Sequence, residues 1–97
     1  MGDITDNPAE SRLELTVDGE LAGWLDYRPA GESTIIAHTE VLDHHEGEGL
    51  AGRLVRAAIE RIVADGKSVI PTCPFAAGYI AKHPELEEAV LPSLRRR

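Results

Sequence analysis

The sequence predicts one α/β (α+β) domain: an antiparallel strand meander followed by a helix, a parallel strand and a C-terminal helix. Three observations carry this. Apolar residues alternate with polar ones along Arg12–Val17 and recur in the two segments behind it, the period of half-buried strands. From residue 50 the pattern lengthens to a helical stripe, and glycine or proline marks each change of period. At 97 residues the chain holds one domain, with a core near the lower limit for folding without staples.

Residues 1–11 show no apolar periodicity and contain Asn7-Pro8, which predicts a flexible leader. In the first strand Leu13, Leu15 and Val17 alternate with polar neighbours. Asp18-Gly19 is a pair favoured in two-residue hairpin turns. The chain returns as a strand over 20–28, and Pro29-Ala30-Gly31 turns it again. Residues 33–42, rich in β-branched side chains, form the third strand. A helix follows over 50–65, with Ala51, Leu54, Val55, Ala58, Ile62 and Val63 on one stripe and Arg53, Arg56, Glu60 and Arg61 elsewhere. Gly66 stands where a glycine cap belongs. Residues 68–71 read as a strand parallel to the third, because a helix separates the two. Pro71 and Pro74 limit the pairing of this strand and leave a cleft beside it. A second helix spans 75–83 and stops before Pro84. One more helical turn falls within 87–94, so the domain runs 12–94 and Arg95, Arg96 and Arg97 make a basic tail.

Composition narrows the function. No apolar run reaches the length of a membrane span, and the acidic start is no signal peptide. A single cysteine makes no internal disulfide, which suits a cytoplasmic protein. The net charge of −7 disfavours nucleic acid as a partner and favours a cationic amine.

Glu46-Gly47-Glu48-Gly49-Leu50-Ala51 joins the third strand to the first helix. Free amides and the positive end of a helix dipole suit a phosphate-type anion, and glycine lets the backbone come close to it. The plainer reading of Gly47 and Gly49 is a structural strand-to-helix turn. Downstream stand Cys73-Pro74-Phe75, Tyr79-Ile80 and His83-Pro84-Glu85. Together the two segments resemble the small, single-domain branch of the GCN5-related N-acetyltransferase (GNAT) superfamily, the YjdJ type, over residues 13–86. The loop is similar to the superfamily pattern Gln/Arg-x-x-Gly-x-Gly/Ala at Gly49 and Ala51, with Glu46 in place of Gln or Arg.

The resemblance implies a GNAT-like fold with acetyl-CoA as co-substrate. The diphosphate would rest on the amides of Glu46, Gly47, Glu48, Gly49, Leu50 and Ala51, with the arm running toward Cys73 and Phe75. It implies transfer of acetyl to a primary amine, either a small amine or a protein lysine or N-terminus. The acceptor is unknown, and the protein is expected as a monomer or weak homodimer. The alternative is a CoA-binding or protein-interaction module with little catalysis, since the chain is short for an acceptor pocket.

Individual residues carry two readings each. Arg53 lies near the helix start and is either a phosphate contact or solvated surface. Cys73, at the start of the second helix, is either a buried small hydrophobe or a thiolate-forming nucleophile. His38 and Glu40 share a strand face with Ile36 and make either a base with its orienting carboxylate or a surface hydrogen bond. Tyr79, one turn from Phe75, either gives a proton to the departing thiolate, as in larger superfamily members, or packs against the cofactor arm. Trp24 and Tyr27 read as packing residues. His44, His45 and His83 lack the spacing of a zinc site, so no metal is expected.

Overall fold

The computed structural model describes residues 2–42 and 49–95. Five strands form one sheet in the order β1-β2-β3-β4-β5. They are β1 (Gly2–Asn7), β2 (Arg12–Val17), β3 (Glu20–Ala30), β4 (Ser33–Val41) and β5 (Ser68–Pro71), with helices α1 (Leu50–Ala64) and α2 (Pro74–Lys82). The first four strands are antiparallel, and β5 joins β4 in parallel after the α1 crossover. The expected meander, crossover and second helix are all present.

The leader is the largest departure. Gly2–Asn7 is a strand paired with β2 along its whole length, and a 3-10 turn over Pro8–Glu10 connects the two. Its sequence alternates poorly because it occupies the sheet edge, where backbone pairing rather than side-chain burial recruits it. Ile4 packs against the core, and Asp6 accepts a 2.6 Å hydrogen bond from the Tyr27 hydroxyl.

Turn chemistry sets the hairpins. Asp18 and Gly19 both have positive φ, 53° and 81°, as a twist-matched two-residue turn requires. β3 runs on through Pro29 and Ala30, so the second turn sits at Gly31 and Glu32. Gly66 closes α1: its N–H donates to Val63 O at 2.9 Å, and Lys67 N–H donates to Ile62 O at 3.0 Å.

Both helices pack on one face of the sheet. Leu15, Leu25 and Ile36 of the sheet meet Leu54 and Val55 of α1 and Val69 of β5, all with zero exposure. The α1 stripe differs from the expected one at its two ends: Leu50 is buried in place of Ala51, which is only half-buried, and at the C-terminal end Ile59 replaces Val63. Val63 is 51% exposed, and Ile59 is buried in its stead. At 100° per residue Ile59 lies about 40° round from Val55, at the rim of the buried stripe, whereas Val63 lies about 40° further and has turned past the contact. The C-terminal segment forms two 3-10 turns, Pro84–Ala89 and Pro92–Leu94, rather than one helical turn. Between them Val90 bridges Val69 and is 2% exposed, so the outer edge of β5 is partly covered.

Candidate functional site

The site begins with one extra residue. In β3 and β4, Asp26 pairs with His38 but Tyr27 pairs with Ile36, which leaves Ala37 as a β-bulge. The bulge reverses the side-chain alternation. Ile36 points into the core, Thr39 comes to the helix side, and His38 and Glu40 fall on the reverse face. The expectation that His38 and Glu40 share a face with Ile36 is therefore corrected by the bulge.

Next to the bulge, β4 and β5 part. Their pairing ends at Ile36 with Pro71, and both Thr72 Oγ1 (3.2 Å) and Cys73 N (3.1 Å) donate to the Ile36 carbonyl. Proline in β5 and at the start of α2 removes the donors that would continue the ladder. β4 continues to Val41 with β3 on one side only. Because Leu42 N–H donates to Ala22 O of β3, alternation turns the backbone groups of Thr39 and Val41 toward the gap.

Cys73 sits at the head of this gap as the N-cap of α2, with extended backbone and Pro74 at the first helical position. It is 3% exposed, and its Sγ donates weakly to Thr39 Oγ1 at 3.7 Å. The sequence pattern singled out Cys73 but missed Thr39 and Thr72. A bulge leaves no mark in residue type, and without it Thr39 reads as facing the other way.

Of the phosphate loop, Glu46, Gly47 and Glu48 lie outside the described residues. Gly49 caps α1 in the left-handed region at φ 74°, without a side-chain cap. Arg53 N–H makes the first intrahelical bond, to Gly49 O at 3.2 Å, so the amides of Leu50, Ala51 and Gly52 have no helical partner. No acidic residue stands in the first turn of α1. Leu50 is buried and anchors that turn in the core. The Arg53 guanidinium points elsewhere, donating to the Gly2 carbonyl at 3.0 Å, so it ties β1 to the helix.

Tyr79 packs across the start of α1. A Cβ on Gly52 would fall 2.7 Å from its Cε1. Arg56 Nε donates to the Tyr79 hydroxyl at 3.4 Å, while Arg56 Nη2 donates to Glu85 at 2.9 Å. The hydrogen bond from Arg56 holds Glu85 below the usual carboxylate range, and those to Tyr79 and then Glu85 raise Arg56 further. The His83 ring stacks on Tyr79 with centroids 4.0 Å apart, and its Nδ1 donates to the Tyr79 carbonyl at 2.8 Å. Phe75 lies 6.2 Å from Tyr79 and is 45% exposed.

On the reverse face, His38 Nε2 lies 2.9 Å from Glu40 Oε1. A carboxylate only accepts, so Nε2 carries the hydrogen, and in the neutral ring Nδ1 holds the lone pair. Both side chains are about half exposed. The fold thus brings Cys73 to Thr39, and Tyr79 to Gly52 and Phe75, while His38 and Glu40 stand together on the reverse face of the sheet. Among the described residues no three His, Cys, Asp or Glu side chains come together as metal ligands. His44 and His45 lie outside them.

Comparison with known proteins bears on the fold and the family. A family model described as GCN5-related N-acetyltransferase matches residues 12–90. No curated protein matches the chain. Among solved structures, a GCN5-like candidate N-acetyltransferase from Staphylococcus aureus superposes with a TM-score of 0.72 at 22% identity. That likeness covers 92% of this chain and 87% of that one. A ribosomal-protein-alanine N-acetyltransferase from Brucella melitensis gives 0.64 at 19% identity, over 74% of this chain and 61% of its own. A candidate GNAT-family acetyltransferase from Desulfovibrio desulfuricans gives 0.58 at 17% identity, covering 79% and 51% respectively. These neighbours share the fold of a mixed five-stranded sheet with helices, and the match over residues 12–90 makes this chain a member of the GCN5-related N-acetyltransferase family.

Proposed function

We propose that this protein is an acetyl-CoA-dependent N-acetyltransferase that moves an acetyl group to a primary amine, on a small molecule or on a protein lysine or N-terminus. The observation that carries the reading is the parting of β4 and β5 beyond Ile36 and Pro71, with Thr39 and Cys73 at its head. Around that gap the residues fit coenzyme A. The partnerless amides of Leu50, Ala51 and Gly52 suit a diphosphate, and no carboxylate in the helix's first turn opposes it. Glu46, Gly47 and Glu48 belong to the same proposed cradle. The likeness to the small YjdJ-type branch rests on Cys73-Pro74-Phe75 and His83-Pro84-Glu85.

Bound acetyl-CoA supplies the activated acyl thioester. The chain orients it and handles protons. Backbone N–H groups turned into the gap, at Thr39 and Val41, are placed to stabilise an oxyanion. His38 Nδ1 accepts the proton of the incoming ammonium, directly or through water, with Glu40 fixing the ring. Because Arg56 donates to the Tyr79 oxygen, the Tyr79 hydroxyl keeps its own hydrogen to give to a leaving thiolate. Cys73 either packs beside the thioester or takes the acetyl group first.

A second reading, a CoA-binding or interaction module with little catalysis, gains support from the reverse sheet face. Among the described residues no helix covers it, so an acceptor finds no walled pocket there. Among the described residues no helix is long and apolar enough to cross a membrane. With one free cysteine and net charge −7, a cytoplasmic monomer or weak homodimer that does not bind nucleic acid is the proposed state.

Calorimetric titration of acetyl-CoA into wild type and Gly49→Glu tests the cofactor. Binding is expected in the first and a loss of about tenfold or more in the second, from a blocked helix start that now carries the same negative charge as the diphosphate. Equal affinities would overturn the site. Thiol release against a panel of amines and peptides then separates enzyme from module, since only the enzyme releases CoA faster with an acceptor present.

A further inference from the structure

At the other end of α1 from Gly49 lies a recess of about 470 Å³, between the last turns of the helix and strands β1, β2, β3 and β4. Leu13 and Ile62 form an apolar floor and the Tyr27 ring a wall. Its volume is in the range of small-molecule sites. It is separate from the gap at Cys73: Thr34, which lines it, is five residues along β4 from Thr39, about 16 Å at strand rise.

Four charged residues line the recess, and two are already engaged. Asp6 accepts from the Tyr27 hydroxyl at 2.6 Å, and Lys67 Nζ donates to the Gly31 carbonyl at 3.2 Å. The other two, Arg61 and Asp65, have no ion pair or side-chain hydrogen bond among the described residues. They stand one helical turn apart, about 6 Å along the axis. Asp65 is the C-cap of α1, where the negative end of the dipole disfavours a carboxylate and favours a cation. The free valences are therefore one cation and one anion site, a turn apart, above an aliphatic floor.

We propose that this recess binds a free aliphatic α-amino acid, its carboxylate on Arg61, its ammonium on Asp65 and the end of α1, and its side chain on Leu13 and Ile62. A simple carboxylate leaves Asp65 unmatched, and a simple amine leaves Arg61 unmatched. The inference is independent of the acetyl-transfer reading, because no residue of that gap lines the recess.

The test follows amide resonances of the whole ¹⁵N-labelled protein during titration with L-leucine, with 4-methylpentanoate, which lacks the ammonium, and with 3-methylbutylamine, which lacks the carboxylate. Leucine is expected to shift Thr34, Ile62 and Lys67 saturably while Thr39 and Cys73 stay in place. Each half-ligand should bind about tenfold or more weaker, the loss of one charge-assisted contact. Arg61→Gln and Asp65→Asn should weaken leucine by a similar factor, and Ala64→Trp, at the exposed mouth, should abolish binding. These are surface changes, and a dispersed spectrum verifies that each variant is folded. The proposal is overturned if leucine leaves Thr34, Ile62 and Lys67 unmoved up to its solubility limit. It is equally overturned if either half-ligand matches leucine or if Arg61→Gln binds like wild type.

Discussion

The β-carbon that Gly52 lacks would stand 2.7 Å from Cε1 of Tyr79, closer than side chains approach one another. Glycine in the first turn of α1 is what lets the Tyr79 ring lie on the helix. The ring has no easy retreat, because Arg56 holds its hydroxyl and His83 stacks on its face. Glycine costs a helix roughly 1 kcal/mol relative to alanine, so two effects of similar size oppose each other at this position. Gly52→Ala is expected to destabilise the wild type by about 1–2 kcal/mol through overpacking. In a Tyr79→Ala background the same change should stabilise by up to about 1 kcal/mol, since only helix propensity remains. Denaturant unfolding of the four proteins measures both, and the same sign in both backgrounds would refute the contact.

Tyr27 supplies a pH test of the fold. Burial first, and then its hydrogen bond to Asp6, push its pKa up from 10.0 to about 12. The neutral phenol is thus the form the fold prefers. Its stabilising contribution is complete below pH 10, the unfolded value, and is lost as pH rises from there through about 12. Of the chain's two tyrosines, ultraviolet titration should show one ionising near pH 12, and Tyr27→Phe should remove that transition. The variant should also lose stability less steeply above pH 10. A wild-type titration with no ionisation near pH 12 would show that Tyr27 is not held in this way.

These two tyrosines also mark how much of the molecule is legible in its sequence. The strand at Arg12–Val17, the Asp18-Gly19 turn and the cap at Gly66 follow from local chemistry, and each stands where period and turn type put it. Gly2–Asn7 does not, because an edge strand is recruited by its neighbour's backbone and needs no alternation of its own. The bulge at Ala37 is invisible for a different reason. One extra residue costs nothing in composition yet exchanges the faces of everything after it, which is how Thr39 came to Cys73 and His38 left Ile36. Gly52 carried a signal that went unused, a glycine inside the first turn of an otherwise strong helix. Its reason, Tyr79, lies 27 positions away, beyond the reach of any local pattern.

Cys73 separates two chemical routes. In the covalent route its sulfur attacks the acyl carbon, a new thioester forms, and CoA leaves as thiolate to be protonated. The enzyme then carries one acetyl group on Cys73 before any amine arrives. Intact mass after incubation with acetyl-CoA alone should show that adduct in wild type and not in Cys73→Ala. The substitution removes a 3% exposed side chain and should cost roughly 1 kcal/mol in packing, too little to unfold the domain. Full turnover by a folded Cys73→Ala would remove the covalent route and leave Cys73 as a packing partner of Thr39.

In the proposed reaction His38 is the base that takes the amine's proton. Its Nε2–H is committed to Glu40, so the lone pair on Nδ1 is the free acceptor. If His38 is the base, protonation occupies that lone pair and turnover falls as pH falls. His38→Gln keeps a donor for Glu40 but has no comparable base. It should retain acetyl-CoA affinity, lose roughly 10²-fold or more in kcat, and lose the acidic limb of the rate profile. Glu40→Gln should have a smaller effect, because it loosens the ring's orientation without removing the lone pair. Rate profiles over pH for the three proteins, with affinity measured alongside, distinguish these roles. A His38→Gln profile that overlays the wild type would return the pair to an exposed surface hydrogen bond. Cys73, Tyr79 or bound water would then be the remaining proton handlers.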